Sequence, residues 1–213
     1  LTWADYRDML TIVQAPPESN FQPNYNICPT QKHAVCSSQA GQRSLDFMHW
    51  GLIPPWAKDT KFAAKMINAR VETLTEKPSF RNLVEDQRCI ILVSGFYEWH
   101  RSGKSKIPYK VERADKRPMM LGGLWTHNDR LDMASYSLIT TAAPEDFAAI
   151  HHRAPTVVEP EAVEKWLHGS WADAETIASP YSGVLTTTEI SSAVNSIRNN
   201  GVHLLDPAPP TLL

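Results

Sequence analysis

In MINARVETL, residues 66–74, an amide, a guanidinium and a carboxylate (Asn68, Arg70 and Glu72) stand two residues apart. An extended strand has a side-chain period of two. The spacing therefore puts these three groups on one face and Ile67, Ala69 and Val71 on the other. Such a face can hold an anion and a polar ligand, or it can simply meet water. Glu98 lies in SGFYEWH between Tyr97 and Trp99, at the end of the apolar run RCIILVSGFYEWH (88–100). A carboxylate partly withdrawn from water there suits general acid–base work, although a strand-end glutamate turned to solvent fits the same residues. His151 precedes Arg153 and Pro155 in IHHRAP. Imidazole shuttles protons near neutral pH, yet a lone histidine is more often structural. His151 and His152 are expected to point apart in extended chain, and neither has a Cys or Asp partner at ligand spacing, so no metal site is expected. Asn68, Arg70, Glu98 and His151 do not by themselves spell a reaction. The chain carries no GxSxG, HExxH, Walker or GxGxxG pattern.

The elements that must position these groups are mostly strands. WADYRDMLTIVQA (3–15) reads as an amphipathic helix ended by Pro16-Pro17, and the Pro- and Asn-rich stretch from 16 to 30 as an ordered loop. Strands are expected at 33–38, 45–51, 88–100 and 133–143. Residues 107–113 and 118–127 flank a polar ADKR turn and read as a hairpin. LIPPWAKDTK is turn-rich and carries Trp56 beside Lys58 and Lys61. Short helices are expected at about 144–150, 159–169 and 170–179, the last with Ser170 and Asp173 at capping-box spacing. Many strands, few helices and no regular βαβ alternation indicate an α+β fold around a mainly antiparallel, barrel-like sheet.

Composition narrows the function classes. The 213 residues are 42% hydrophobic and 21% charged, enough for one domain with a substantial core. No apolar run approaches the roughly 20 residues of a bilayer span, and no secretory signal is visible. Three cysteines, Cys28, Cys36 and Cys89, without a CxxC pair, argue against a disulfide framework or a cysteine-rich zinc site and suit a reducing compartment. Net charge is −2, so no global basic field announces nucleic acid. The distribution is less even: residues 50–110 carry eleven Lys or Arg against six Asp or Glu, and residues from 140 onward three against nine. A local positive face suits a short polyanion site.

Seven stretches, YNICPTQ, WGLIPPWAKD, MINARVETLTEKPSFR, RCIILVSGFYEWH, YSLITTAA, IHHRAP and VNSIRNNG, closely resemble in order and spacing the SOS response-associated peptidase (SRAP) family. The resemblance runs from about residue 22 to 206 and implies a single domain over 1–213, with 207–213 a peripheral tail. It implies an abasic-site processing protein acting on single-stranded DNA. In that family a cysteine directly follows the initiator methionine, which is removed autocatalytically, and the cysteine then captures the abasic aldehyde. An α-amine has a pKa of about 7.7–8.0 against about 10.4 for lysine, so a useful fraction is neutral at pH 7. It can form a Schiff base, and the adjacent thiol can close a thiazolidine ring.

Carried over by motif, Asn68 positions the amine, Glu98 acts in methionine removal and proton transfer, and His151 is the acid–base for the sugar. The resemblance assigns Arg70 to a DNA phosphate, Trp56 to stacking on bases, and Pro29, Thr140 and Arg153 to further DNA contacts. Trp50 reads as core, and Glu72 as an ion-pair partner near Arg70. No cofactor or metal is implied, and the expected molecule is a monomer in the bacterial cytoplasm, at the nucleoid when acting on DNA.

The family pattern opens with Met-Cys-Gly-Arg, whereas this sequence opens at Leu1. Those residues are expected ahead of Leu1 in the full-length protein, and a molecule lacking them is expected to bind DNA without crosslinking it. Cys28, Cys36 and Cys89 are internal and have no free α-amine to replace the missing one. The alternative is a single-stranded DNA sensor module without catalytic activity. Asn68, Glu98 and His151 together argue against it, because binding phosphate needs no carboxylate. A general protease has no nucleophile–base pair in this sequence.

Overall fold

The computed structural model describes residues 1, 3–12, 23–103 and 105–208. Its regular elements are α1 (Trp3–Leu10), β1 (Lys32–Gln39), β2 (Gln42–Trp50), β3 (Asn68–Arg70), β4 (Arg88–Val93), β5 (Phe96–Ser102) and β6 (Ser105–Arg113). They continue with β7 (Met119–Asn128), β8 (Met133–Ala142), β9 (Arg153–Pro155), α2 (Val163–His168), α3 (Trp171–Ile177) and β10 (Leu185–Glu189). One sheet has the order β2-β1-β4-β7-β8-β3, with β9 also on β8, and β2 returns to pair with β8 through His49–Ser135 and Trp50–Tyr136. The return closes a ring. Only the β2–β8 and β3–β8 pairs are parallel among the described strands. A second sheet has the order β10-β6-β5. The expected α+β class with a mainly antiparallel, barrel-like sheet is what forms.

The continuous apolar runs are explained by burial on both faces. In β4, Ile90 and Leu92 join a cluster with Tyr6, Leu10, Trp166 and Trp171 of the helices. The alternate residues Cys89 and Ile91 join a second cluster with Val111, Leu185 and Phe147, which carries the smaller sheet. Tyr6 donates from its hydroxyl to the Leu92 carbonyl (3.0 Å) and ties α1 to β4. Arg88 is buried too, its guanidinium donating to the carbonyls of Val84, Glu85, Trp166 and Gly169, so it closes the end of α2 on the sheet.

Several local expectations need correction. The single strand over 88–100 is two, because Ser94-Gly95 carries the chain from the large sheet to the small one. A Cβ at Gly95 would lie 2.6 Å from the Val111 carbonyl oxygen, so only glycine permits that crossing. Glu98 consequently sits in the middle of β5 and not at the end of the apolar strand. The hairpin over 107–127 does not form: β6 pairs with β5 and β10, while β7 pairs with β4 and β8. A strand buried along nearly its whole length, as β7 is, belongs between two partners in the covered sheet. Helix α1 stops at Leu10, where Thr11 takes a left-handed φ of 49°. The segment 144–150 forms consecutive turns, with Ala148 N donating to Pro144 O and His151 N to Phe147 O, and no α-helix. Strand β10 was not foreseen. The expected ends of the first helix at 13–15 and of the loop at 16–22 lie outside the described residues. Ser170 caps α3 as expected, its hydroxyl accepting from Asp173 N.

Candidate functional site

The site assembles where β8 changes partners. Along its first half β8 pairs with β2, then through Leu138–Thr140 with β3, and through Thr140–Ala142 with β9. MINARVETL therefore supplies only a three-residue strand before a 3-10 turn at Val71–Thr73. The period-two face survives in its first part: Asn68 and Arg70 are exposed and Ala69 is buried. Trp50 braces the entry to β3, its indole N–H donating to the Ile67 carbonyl (3.0 Å) while its ring stacks on Tyr136. Trp50 is thus largely structural, as expected.

Glu98, in β5 of the smaller sheet, and His151, in the segment leading into β9 of the larger one, come together. Phe96 packs edge-on against Phe147 (centroids 5.7 Å), and the alternation of β5 then turns Glu98 to the same side, over His151. His151 Nδ1 lies 3.9 Å from Glu98 Oε2 and 2.9 Å from the Arg153 carbonyl oxygen. Glu98 Oε1 accepts from the Trp99 N–H (3.0 Å). Both side chains keep partial access to water, 28% for Glu98 and 36% for His151. When Nδ1 donates to the Arg153 carbonyl, Nε2 is left as the basic nitrogen. Set side by side, the imidazole and the carboxylate can pass a proton between a reacting group and water. The rings of His151 and His152 tilt toward each other (centroids 4.5 Å), contrary to the expectation that they diverge. Among the described residues no three His, Cys, Asp or Glu side chains gather as a metal site would require.

Arg153 reaches back across β8. Its guanidinium binds both oxygens of Glu72 (2.6 and 2.9 Å) and also donates to the Thr140 carbonyl. Glu72 therefore pairs with Arg153, from the neighbouring IHHRAP segment, and not mainly with Arg70 as its sequence position had suggested. The Arg153 hydrogen bonds hold the Glu72 carboxyl below its usual range. A depressed carboxyl contributes stability above its unfolded pKa and loses it as pH falls through the folded value, but Glu72 is half exposed, which keeps the effect small. Thr140 is buried, its hydroxyl donating to the Ala69 carbonyl. Pro29 is exposed in a turn fixed by Gln31 N to Cys28 O, beside Thr30 N donating to Trp50 O. Trp56 is 60% exposed, and its ring meets the edge of Phe62 (6.0 Å), itself exposed. The sheet thus brings together Asn68, Arg70, Thr140 and Arg153 on one strand set and Glu98 with His151 beside Arg153. Trp56 contacts Phe62 on the separate turn-rich loop.

Sequence reasoning missed the anchors of the β5 edge. Tyr97 donates to the Tyr25 carbonyl (2.6 Å), and the Trp99 indole to Asn195 Oδ1 (2.7 Å). Burial pushes the Tyr97 hydroxyl up to about 12. Alternation of aromatics around a carboxylate was the available signal. The partners, far away in sequence, were not visible.

Comparison with known proteins then decides the family. The chain matches the model of SOS response associated peptidases (SRAP) over residues 1–197. It belongs to the SRAP family. Among its relatives is the abasic site processing protein YoaM of Bacillus subtilis, 36% identical over 95% of this chain and 92% of that one. The abasic site processing protein YedK of Escherichia coli is 30% identical over 86% of this chain and 84% of its own length. A solved structure from Bacteroides thetaiotaomicron superposes with a TM-score of 0.75 at 26% identity, covering 84% of this chain and 82% of that one. In this chain NARVET and IHHRAP both lie against β8, and GFYEW meets IHHRAP through Glu98 and His151. No helix of the described residues is long and apolar enough to cross a membrane.

Proposed function

We propose that the full-length protein, with the family's Met-Cys opening ahead of Leu1, captures abasic sites in single-stranded DNA as a covalent adduct. The observation that carries this reading is the approach of Glu98, from β5, to His151, from the segment before β9, with the exposed Asn68 and Arg70 on β3 against the same β8. A pure binding surface gains nothing from a carboxylate placed beside a histidine near phosphates. In the proposed reaction the α-amine of the cysteine attacks the C1′ aldehyde of the ring-opened sugar. The carbinolamine loses one water to give the imine, with His151 delivering the proton to the departing oxygen. The thiolate then adds to the imine carbon, the nitrogen takes up a proton, and a thiazolidine results. Asn68 orients the amine by hydrogen bonding. Glu98 takes the proton of the water that hydrolyses the Met-Cys bond, and later those of the amine.

Arg70 is assigned to a backbone phosphate, and exposed Trp56 to stacking on a base, worth about 1–3 kcal/mol. Pro29 lies on the exposed loop held to Trp50 and is assigned to the same strand. Thr140 and Arg153 we assign to the frame, since the first is buried and the second is occupied by Glu72. The internal cysteines are poor substitutes for the terminal one. Burial raises the Cys28 thiol, pushes Cys36 up to about 12 and raises Cys89 well above the ordinary thiol range.

The reading is tested by incubating full-length protein with an oligonucleotide carrying one abasic site and with its undamaged counterpart. A band that survives denaturing electrophoresis is expected only for the first. Its absence would end the proposal. Arg70→Ala is expected to weaken undamaged-strand binding at low salt and to flatten the log–log salt dependence by about 0.7, one phosphate contact fewer. Adduct yield at saturating DNA should be comparatively spared. Fluorescence anisotropy over a salt series measures the first, and a gel the second.

A further inference from the structure

The loop after the 3-10 turn at Ser192–Asn195 is pinned from several sides. The Asn26 amide donates to the carbonyls of Val194, Ser196 and Asn199 at 3.1–3.2 Å. The Asn199 amide donates to Ala193 O (2.8 Å), Tyr25 N donates to Asn200 Oδ1 (2.8 Å), and Trp99 holds Asn195. A loop fixed this firmly presents its outward residues with little ordering cost on binding. Among those residues are Ile197, at 69% the most exposed of the large hydrophobic side chains described, and Arg198.

Charge singles out Arg198. From residue 140 onward only three Lys or Arg occur against nine Asp or Glu. Arg153 is paired with Glu72 and Lys165 with Asp173. Arg198 is exposed and, among the described residues, has no carboxylate partner. The one Lys or Arg beyond residue 140 without a carboxylate partner among the described residues therefore stands beside Ile197 on a preset loop. Trp99 and Tyr97, which anchor this assembly, flank Glu98 in β5.

We propose that the 195–200 loop is a second contact for the bound single strand, with Ile197 packing on a base face and Arg198 holding a phosphate. The proposal rests on the reading of the protein as a single-stranded DNA binder. It extends the strand from the Arg70 side of Glu98 and His151 to the opposite flank of β5. A base against Ile197 gains dispersion contact without sequence preference, and Arg198 adds a salt-dependent term.

The test is anisotropy of a labelled, undamaged single-stranded oligonucleotide with full-length protein, its Arg198→Ala variant and its Ile197→Ser variant, over a salt series. Both substituted side chains are exposed, and unchanged thermal midpoints verify the fold. Arg198→Ala is expected to bind about threefold or more weakly at low salt, with a log–log slope shallower by about 0.7. Ile197→Ser is expected to lose about threefold or more at every salt concentration with the slope unchanged. If the parent binds the strand and both variants match it in affinity and slope, the loop contact is overturned while the proposed function stands. If the parent fails to bind at any salt, the functional reading falls and this inference with it. Should sedimentation reveal a dimer that Ile197→Ser dissociates, with strand affinity unchanged, the loop joins copies of the chain and the DNA contact is likewise overturned.

Discussion

His151→Ala is expected to slow adduct formation at an abasic site by about 10²-fold or more, the usual worth of a positioned acid–base group. Its affinity for undamaged strand should change by less than about twofold. The reason is geometric. His151 Nδ1 is turned toward Glu98 and the Arg153 carbonyl, in a site that has partial water, while the phosphate-holding role is given to Arg70 on β3. Glu98→Gln keeps the shape and the acceptor for the Trp99 N–H but cannot take a proton. It should retard release of the initiator methionine by a comparable factor without weakening DNA binding, because a carboxylate repels phosphate. A timed denaturing gel follows the first variant and intact mass the second. If His151→Ala loses undamaged-strand affinity as strongly as Arg70→Ala, the histidine is a phosphate ligand and the proton-transfer role is wrong.

Trp166→Ala is expected to destabilise the fold by about 3–5 kcal/mol, as full truncation of a buried large aromatic does. Trp166 is fully buried between α2 and the large sheet, and its indole donates to the Cys89 carbonyl (2.9 Å). Its ring fills the space over Gly122, where a Cβ would come within 2.6 Å of it. Its own carbonyl accepts from the buried Arg88 guanidinium, so loosening the ring also loosens the end of α2. For a domain of this size the midpoint should fall by roughly 6–20 °C. Trp166→Phe retains most of the packing and should lose less. Urea denaturation of the three proteins checks the order, and a loss below about 1 kcal/mol for the alanine variant would show that the cluster repacks freely.

What the sequence made legible was local. The cap at Ser170 depends on a residue three positions away, and β1, β2 and β8 announce themselves by their own apolar pattern. The polar face of Asn68 and Arg70 followed from period two alone. The failures concern partners. Nothing local distinguishes RCIILVSGFYEWH as one strand from two, because the break at Gly95 depends on how closely Val111 of β6 passes. The hairpin over 107–127 had acceptable turn residues, and only the coverage of both faces of β7 sends it elsewhere. Glu72 lies two residues from Arg70, yet the fold delivers Arg153 to it with two hydrogen bonds. The proximity of Glu98 to His151 was likewise out of reach of spacing: the family resemblance gave each a role, and only the fold sets them 3.9 Å apart. The pinned loop carrying Ile197 and Arg198 was part of a quoted motif, but its outward face exists only once Asn26 holds it.

The central claim is that chemistry at the lesion belongs to an N-terminal cysteine served by Asn68, Glu98 and His151. The most direct measurement is mass spectrometry of the adduct after digestion of protein and DNA. Expected is a peptide beginning at cysteine, without the methionine, whose mass is the sum of peptide and abasic fragment less one water. An adduct on a lysine or on Cys28, or on a peptide that retains its methionine, would contradict the assignment.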